Sequence, residues 1–498
     1  MAAPNPSCPA FRTWKGVARR QAWRAQEAAK TSPFQPKLNI YVPADLQSVV
    51  APRPREYSQD DLEPAFAALR ANDRCQWLPA TTAIRQALSK TEGPPIDQVL
   101  GSGVLPRLAY FMTLTDVPEL EVQAAWAVCN VASGSGVHCR AVVDSGALRP
   151  AVERLGCANP ELREQVAWLL GNVVGDCLDL RQACLDAGML EPLLAAARAE
   201  SYVKAQRQHC WLLCNLVRSK PRPRHVVTAV LPVLAYLGAS LTDSEALTDA
   251  FWALSYIAED TPAEVAMASL AVVARAEDAL RQHDTKPSSL VQAAAQLLGS
   301  LCGGSALPTQ VVLDTGALTH GLRRVLLSSE QPGLIKQAAF AVANIAAGTR
   351  AQARAVSSAG LLPLLCAAYD RHEAAQELRS EVVWALANMA GKEDSYSLAS
   401  AVVAAGGCRV LGSHLAARAW SAEGRDVRAV QAAAEGLLCI ARAGSRPGTA
   451  GWDGSNPHVA AFIEQGVYDY IRTALEQDLA PKAAERLERL LEEFPEPV

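Results

Sequence analysis

Trp126-Ala-Val-Cys-Asn130 is the first copy of a Trp-x-x-x-Asn pattern that recurs along the chain. The last residues of successive copies lie roughly 42 residues apart, which is a period typical of stacked helical repeats. Two residues four positions apart on one helix point the same way, so stacked repeats would align a ladder of indoles and a ladder of amides on one surface. The further copies are Trp168–Asn172, Trp211–Asn215, Trp252–Tyr256, Phe340–Asn344 and Trp384–Asn388, and an eroded copy is expected to end at Ser300.

A short break that contains glycine recurs between the copies. It is clear in Val142-Val-Asp-Ser-Gly146 and in Ala355-Val-Ser-Ser-Ala-Gly360, each of which is followed by another apolar segment. Glycine at these positions suits a helix end that requires a positive φ angle. Three helices per unit, the first of them short, describe the armadillo type of repeat better than the two-helix types. The pattern therefore predicts an all-α fold, a right-handed armadillo-repeat superhelix (α-solenoid) of about ten three-helix repeats.

The composition narrows the classes of function. The net charge of −4 argues against a general nucleic-acid binder, which is normally basic. The thirteen cysteines contain no Cys-x-x-Cys motif and the eight histidines lack zinc spacing. No phosphate loop or nucleophile elbow occurs, and the longest apolar run, Val230–Leu241, is too short to span a bilayer. We therefore expect a protein that is not an enzyme, binds no metal or cofactor, and does not insert into membranes.

The chain is predicted to have three parts. Residues 1–40 hold seven basic side chains against one acidic side chain, Glu27. Residues 41–73 carry four prolines and mixed charge, which is typical of a linker. The helical repeats are expected from residue 74 to residue 498.

Three segments match one family of armadillo proteins in order. Ala124-Ala-Trp-Ala-Val-Cys-Asn-Val-Ala-Ser-Gly134 and Glu164-Gln-Val-Ala-Trp-Leu-Leu-Gly-Asn-Val-Val-Gly-Asp176 resemble its second and third repeats. Phe251-Trp-Ala-Leu-Ser-Tyr256 resembles its fifth. The family is importin-α (karyopherin-α), whose members carry nuclear localisation signals to importin-β. The resemblance covers most of the chain and implies a nuclear import adaptor found in the cytoplasm and the nucleus, with an export factor as a further partner at the C-terminal repeats.

The resemblance also implies a major site for the lysine- and arginine-rich signals of cargo proteins. Asparagine amides can hydrogen-bond the main chain of a peptide, and indoles attract lysine ammonium groups with about 0.5–2 kcal/mol each. Because a carboxylate beside a slot favours lysine, Asp176 is expected to form the most selective pocket. By resemblance, the major site consists of Trp126, Asn130, Ser133, Gln165, Trp168, Asn172, Asp176, Trp211, Asn215, Asp249 and Trp252.

A minor site is implied in the sixth to eighth repeats, and it is eroded in this sequence. Gln296 with Ser300, and Gln337 with Phe340, depart from the family pattern. Loss of an acidic side chain at these repeats weakens the capture of lysine, so we expect a strong major site and a weak minor one. The residues that keep the pattern are Asn344, Glu381, Trp384 and Asn388.

The N-terminal segment is a thin version of the importin-β-binding segment of the family. Few charges are involved, so binding to importin-β should be weak and steeply salt-dependent, and autoinhibition should be weak or absent. The basic side chains assigned to importin-β are Arg12, Lys15, Arg19, Arg20 and Arg24. Two interpretations stay open: an import adaptor, or an armadillo scaffold that binds basic peptides but no longer works with importin-β.

The Trp-x-x-x-Asn pattern also has a purely structural interpretation. A single tryptophan on an amphipathic helix is usually part of the core, and a single asparagine often contacts a neighbouring loop. Alanine or leucine would fill a core more simply, and three Trp-Asn pairs in register are difficult to explain by packing alone. The recurrence therefore favours a binding surface.

Overall fold

The regular structure of this chain is helical throughout the part that the computed structural model describes, which is residues 57–90, 92–392, 396–417, 427–445, 456–476 and 481–492. These residues contain 28 helices and no strand. The prediction of an all-α armadillo fold is confirmed. The chain divides into two compact units, with the division between Val233 and Leu234.

The first unit contains helices α1 to α11, and helix α12 crosses the division. We number the repeats by their long third helices, so repeat 1 ends with α2, repeat 2 with α5, repeat 3 with α8 and repeat 4 with α11. The bounds of α1 to α12 are Glu63–Arg70, Arg74–Leu88, Ile96–Gly101, Leu105–Phe111, Pro118–Ala132, Gly136–Asp144, Leu148–Glu153, Pro160–Asp176, Leu178–Asp186, Leu190–Ala199, Val203–Arg218 and Arg224–Ser240.

The second unit contains helices α13 to α28. Repeats 5 to 10 end with α13, α16, α19, α22, α25 and α28. The bounds of α13 to α28 are Ser244–Ala258, Pro262–Ala268, Leu270–Arg281, Ser288–Cys302, Ala306–Asp314, Gly321–Ser328, Pro332–Ala347, Arg350–Ser358, Leu361–Arg371, Gln376–Ala390, Tyr396–Ala404, Gly407–Ala416, Val427–Gly444, Pro457–Glu464, Val467–Leu475 and Pro481–Leu491.

Glycine separates the first and second helices of most repeats, as predicted. Gly146 has a φ of 82° and Gly360 a φ of 69°, a left-handed conformation that a side chain would strain. Repeat 5 has no glycine at this break, and its first two helices are joined in the single helix α12, which contains Pro232. A glycine with positive φ occupies the equivalent break in repeats 2, 3, 4, 7, 8, 9 and 10.

The third helices form the core of each unit by stacking on one another. In the first unit α5 packs between α2 and α8, and α8 also packs on α11. In the second unit the same succession runs from α13 through α16, α19, α22 and α25 to α28. A helix packed on both sides must be apolar around most of its circumference, which explains why α5 and α8 are buried at nearly every position after their first turns.

The predicted linker contains a helix, so its boundary is corrected. Helix α1 lies within residues 41–73, and it packs on α2 through Leu62, Phe66 and Leu69, which are almost completely buried. Pro64 was read as a linker residue, but it lies in the first turn of α1, where proline needs no backbone N–H. The helical repeats therefore begin at Glu63 rather than at residue 74. Residues 1–40 and 41–56 lie outside the described residues.

Helix length, apolar character and the grouping of ligating side chains bear on membrane insertion and metal binding. No single helix there is both long and apolar enough for a membrane span, and one bent pair, α23 with α24, meets the criteria only when its two helices are taken together. No group of three or more His, Cys, Asp or Glu side chains in these ranges is placed to hold a metal ion.

Candidate functional site

The three intact Trp-Asn pairs of the first unit lie on consecutive stacked helices. They are carried by α5, α8 and α11 and form what we call the first ladder, which consists of Trp126, Asn130, Trp168, Asn172, Trp211 and Asn215. The asparagines are buried, and Asn172 is completely covered. The indoles of Trp126 and Trp211 remain partly exposed, and Trp168 retains 7% exposure. The amides therefore form the floor of this surface, with the more accessible indoles beside them.

The asparagine amides tie each third helix to the one before it. Asn130 Nδ2 donates to Ser89 Oγ at 3.0 Å, Asn172 Nδ2 to the Cys129 carbonyl at 3.4 Å, and Asn215 Nδ2 to the Gly171 carbonyl at 3.1 Å. The second and third of these carbonyls belong to the residue just before the preceding ladder asparagine. One N–H of each asparagine amide thus ties the third helices together.

Two buried acceptors of repeat 3 have no hydrogen-bond donor among the described residues. They are Asn172 Oδ1, which belongs to the first ladder, and Gln165 Oε1, which lies on α8 three residues before Trp168. A buried acceptor without a donor costs about 1–3 kcal/mol. Both atoms are covered from solvent, so a donor from a ligand reaches them only when a neighbouring side chain moves.

Asp176 is an uncompensated carboxylate at the end of α8. It is half-buried, and no hydrogen-bond or ion-pair partner is recorded for it within the described ranges. A Cβ built on Gly136 would lie 3.0 Å from Asp176 Oδ2, so the carboxylate approaches the first residue of α6 closely. The free N–H groups at a helix start favour a nearby anion. Asp176 lies one helical turn beyond Asn172, and it is the carboxylate that sequence analysis selected for the lysine pocket.

Arg218 contacts the backbone of the residue that precedes this carboxylate. Its guanidinium donates to the carbonyl of Gly175 at 2.6 Å, which is the residue before Asp176. The Ser133 hydroxyl donates to the Asn130 carbonyl at 2.7 Å and closes the end of α5, and its assignment to the peptide site stays a prediction. Neither Arg218 nor the local hydrogen bond of Ser133 was identified from the sequence.

The remaining residues of the predicted major site belong to the second unit. Asp249 and Trp252 lie on α13, where Asp249 is 3% exposed and the Trp252 ring lies 6.0 Å from the ring of Tyr256. Within that unit the pair Trp252 and Tyr256 has the same i, i+4 spacing as the first ladder.

The second ladder is formed by the eroded and recovered copies on α16, α19 and α22. Asn344 Nδ2 donates to the Gly299 carbonyl at 2.8 Å, and Asn388 Nδ2 to the Ala343 carbonyl at 3.0 Å, as in the first unit. At the eroded positions Gln296 donates to Ser300 at 3.3 Å, and Phe340 replaces an indole. The residues of the second ladder are Ser300, Phe340, Asn344, Trp384 and Asn388, and Glu381 lies partly exposed on the same helix as Trp384.

Lys392 ends the second ladder with a positive charge. It lies four residues after Asn388, the offset that separates Asp176 from Asn172 in repeat 3. Its Nζ donates to the carbonyls of Ala347 and Gly348 at 2.7 and 2.5 Å, at the C-terminal end of α19. Burial lowers the pKa of Lys392 from its ordinary value. The two units therefore carry opposite charges at equivalent positions.

Comparisons with known proteins show which proteins this chain resembles. A model of the armadillo/beta-catenin-like repeat matches residues 138–175, which span most of repeat 3. Importin subunit alpha-1a of Oryza sativa subsp. japonica is 34% identical over 304 residues, covering 61% of this chain and 57% of the relative. Importin subunit alpha-4 of Arabidopsis thaliana is 39% identical over 290 residues, covering 58% and 53%. Importin subunit alpha-B of Dictyostelium discoideum is 44% identical over 211 residues, covering 42% and 41%. The chain is similar to members of the importin-α family.

The chain spans about half the length of the curated importin-α relatives that it matches. Among solved structures, it is similar to an engineered protein from a structural genomics consortium, with a TM-score of 0.70 and 25% identity. That likeness covers 87% of this chain and 98% of the engineered protein. The helical architecture of this chain is thus supported by a solved fold over most of its length.

The residues assigned to importin-β lie outside the described part of this chain. They are Arg12, Lys15, Arg19, Arg20 and Arg24. Their contribution stays a prediction.

Two glycines that contact the aromatic rings of the ladders were not predicted from the sequence. A Cβ built on Gly171 would lie 2.4 Å from the Trp211 ring, and one on Gly299 would lie 2.6 Å from the Phe340 ring. Both glycines stand immediately before a ladder position in the middle of a helix, where glycine is otherwise unfavourable. That placement was the available signal, because an interior helical glycine usually marks a close approach.

Proposed function

We propose that this protein is a nuclear import adaptor of the importin-α family that binds the lysine- and arginine-rich signals of cargo proteins along the first ladder. The observation that carries the proposal is the alignment of three Trp-Asn pairs on consecutive stacked helices, with the unpaired carboxylate of Asp176 one turn beyond Asn172. The relatives named importin subunit alpha support the same role. The adaptor acts in the cytoplasm and the nucleus, and it joins cargo to importin-β through residues 1–40.

Recognition of a basic peptide by this surface divides into two tasks. The asparagine amides contact the peptide main chain, since each amide keeps an oxygen and one hydrogen beyond the bond that ties it to the preceding helix. This contact is independent of the peptide sequence. The buried acceptor of Asn172 gains the hydrogen bond that it lacks when a peptide N–H arrives, so binding relieves a cost already present in the free protein.

Selectivity for basic side chains comes from the indoles and from Asp176. The rings of Trp126, Trp168 and Trp211 hold lysine stems between them and attract the ammonium groups through their faces, with about 0.5–2 kcal/mol per contact. Asp176 supplies a negative charge one turn beyond Asn172. Its carboxylate lies close to the first residue of α6, and it pairs with the head of a lysine that lies beside Asn172.

The decisive experiment compares peptide binding by charge-matched variants. A fluorescein-labelled peptide with a run of five lysines is titrated with the full chain and followed by fluorescence anisotropy. We expect Asp176→Asn to weaken binding about 10-fold or more, since a charge-assisted pair is lost. Asp179→Asn removes the same charge from an exposed position three residues further along, and it should change the affinity less than about twofold.

A double variant tests the ladder itself. Trp168→Ala with Asn172→Ala should abolish binding of the same peptide while circular dichroism shows an unchanged helical content. Equal affinity for the wild type and this double variant would reject the first ladder as the binding surface.

The scaffold function stays the second candidate, favoured by the small number of basic residues in the N-terminal segment. Seven basic side chains in residues 1–40 supply little charge for importin-β. Pull-down of purified importin-β by the full chain at about 50 and 150 mM salt separates the two, because a weak electrostatic contact survives only at the lower salt. Binding at low salt supports the adaptor; no binding at either salt, with the lysine peptide still bound, supports the scaffold. Binding of an export factor at the C-terminal repeats is part of the adaptor proposal.

A further inference from the structure

Repeat 1 places an arginine where the other repeats of the first unit have a tryptophan. Arg85 lies on α2 and Ser89 directly follows that helix. Their i, i+4 spacing matches that of Trp126 and Asn130 on α5. The Arg85 guanidinium lies over the Trp126 ring, with Cζ 4.4 Å from the ring centroid. Asn130 Nδ2 donates to Ser89 Oγ. The two contacts join equivalent positions of the two helices, so Arg85 occupies the ladder position of repeat 1.

The position of Arg85 is held by further contacts. Arg85 Nε donates to Gln123 Oε1 at 2.9 Å, one turn before Trp126 on the same helix. Burial lowers the pKa of Arg85 to about 10, so the side chain is still charged at neutral pH. No ion pair with a carboxylate is recorded for it in the described ranges, and the indole face with the Gln123 oxygen is what balances its charge.

We propose that Arg85 is a specificity-determining residue that closes the first ladder at Trp126 and so limits the length of basic peptide that the ladder reads. The inference rests on the proposed function. An indole offers two faces to cations, and the face of Trp126 that looks towards repeat 1 already carries a guanidinium. A lysine from a ligand cannot occupy that face, and it also meets an unneutralised positive charge there. Lysine stems are therefore accepted between Trp126 and Trp168 and between Trp168 and Trp211, and not beyond Trp126.

The test measures how affinity depends on peptide length. Labelled peptides with three and with six lysines, each flanked by Gly-Ser, are titrated with the full chain carrying Trp384→Ala and Asn388→Ala, which removes the second ladder. The quantity compared is the Kd of the three-lysine peptide divided by the Kd of the six-lysine peptide. A longer run has more binding registers in every variant, so only a change of the ratio between variants reports a newly opened position.

Arg85→Gln is expected to improve binding of the six-lysine peptide about 2- to 30-fold relative to the three-lysine peptide, the range of one cation–π contact. Arg85→Lys keeps a cation on the ring and should keep the wild-type ratio. Arg107→Gln is the matched control, because Arg107 also lies over an indole, that of Trp77 at 4.5 Å, but this indole is buried against Phe111 in the core.

Each outcome decides between definite alternatives. An unchanged ratio in Arg85→Gln overturns the inference, and an equal loss of affinity for both peptides shows that Arg85 only supports the Trp126 ring. If the unmodified groove binds neither peptide, the proposed function fails and the inference fails with it. A raised ratio in Arg85→Gln, with a wild-type ratio in Arg107→Gln, supports the proposal that Arg85 closes the first ladder at Trp126.

Discussion

The Trp211 ring lies directly against the backbone of Gly171, so closely that a Cβ on residue 171 would be 2.4 Å from the ring. The same glycine supplies the carbonyl that accepts from Asn215 at 3.1 Å. One residue of repeat 3 therefore positions both ladder residues of repeat 4. A single methyl group at this position would separate the two helices where the first ladder is formed.

Gly171→Ala is expected to destabilise the protein and to weaken peptide binding. The added methyl overpacks the contact with Trp211, which costs about 1–3 kcal/mol. Thermal unfolding followed by circular dichroism measures the first effect, and titration with the lysine peptide measures the second. Gly101→Ala is the control, since a Cβ there meets nothing within 4 Å. A Gly171→Ala protein as stable as the wild type would show that the ring moves freely away from its seat.

Lys392 is predicted to suppress binding of basic peptides to the second ladder. Lys392→Met removes the charge and keeps the length of the side chain, so the affinity of this ladder for a lysine peptide should rise about 3- to 10-fold. The measurement is made in the Trp168→Ala, Asn172→Ala background, where the first ladder does not contribute. Lys392→Arg keeps the charge and should keep the weak binding. Equal affinity of the methionine and arginine variants would contradict the prediction.

The buried ion pair between Arg163 and Glu200 is predicted to be essential for the stability of the first unit. Arg163 Nε and Nη2 donate to the two carboxylate oxygens at 2.7 and 2.8 Å, and the Glu200 side chain is 1% exposed. Burial raises the pKa of Glu200, but hydrogen bonds from Arg163 and from the Tyr202 N–H lower it by more, so its pKa lies below the ordinary value. Glu200→Ala leaves a partly buried guanidinium unpaired, which should cost about 3–5 kcal/mol.

The control for this prediction is an ion pair on the surface of the same unit. Arg149 and Glu153 pair at 2.9 Å, with side chains 87% and 49% exposed. Glu153→Ala should change the free energy of unfolding by less than about 0.5 kcal/mol. Urea denaturation of both variants, followed by circular dichroism, makes the comparison. Similar decreases in the free energy of unfolding for the two variants would show that burial does not decide how much an ion pair contributes to stability.

His209 is predicted to make stability fall between about pH 6.5 and pH 4. Burial lowers its pKa to about 4, opposed by the attraction of Glu200 and assisted by the repulsion of Arg163. In this window the unfolded state binds the proton and the folded state does not, so the free energy of unfolding decreases by about 1.4 kcal/mol per pH unit as the pH falls. Melting temperatures at pH 7.5, 6.5 and 5.5 measure the slope.

His209→Leu is the variant that isolates this titration. Leucine removes the ionisable ring and fills a similar buried volume, so the slope over the same pH range should flatten. The other histidines are present in both proteins and serve as an internal control. An unchanged slope would assign the pH dependence to them.

Much of the candidate site follows from the sequence because its signals are local. The i, i+4 spacing of Trp126 and Asn130 fixes two side chains on one face of a helix, whatever surrounds it. The glycine breaks at Gly146 and Gly360 specify a left-handed residue, and the structure has one at each. Pro64 was ambiguous, since proline suits a linker and the first turn of a helix equally well, and the burial of Phe66 against α2 decided for a helix.

The residues that shape the ends of the ladders could not be assigned from local pattern. Arg85 precedes Trp126 by one repeat and Lys392 follows Asn388 by one turn, but neither position by itself indicates a ladder contact. Their roles depend on a ring and on two carbonyls in a neighbouring repeat, roughly 40 residues away in the chain. An alignment of the repeat copies in register would have placed Arg85 at a tryptophan position and Lys392 one turn after an asparagine. It would not have given their contacts.

The sequence by itself determined the repeat, its helices and the composition of the ladders, because periodicity, helix propensity and the conformational preference of glycine act within one repeat. Tertiary structure alone decided what each ladder residue contacts. The asparagines donate to carbonyls of the preceding helix, Gly171 admits the Trp211 ring, and Arg85 covers Trp126. These contacts exist only when helices from different repeats pack together, since packing brings distant residues within hydrogen-bond distance and removes the water that would otherwise compete for them.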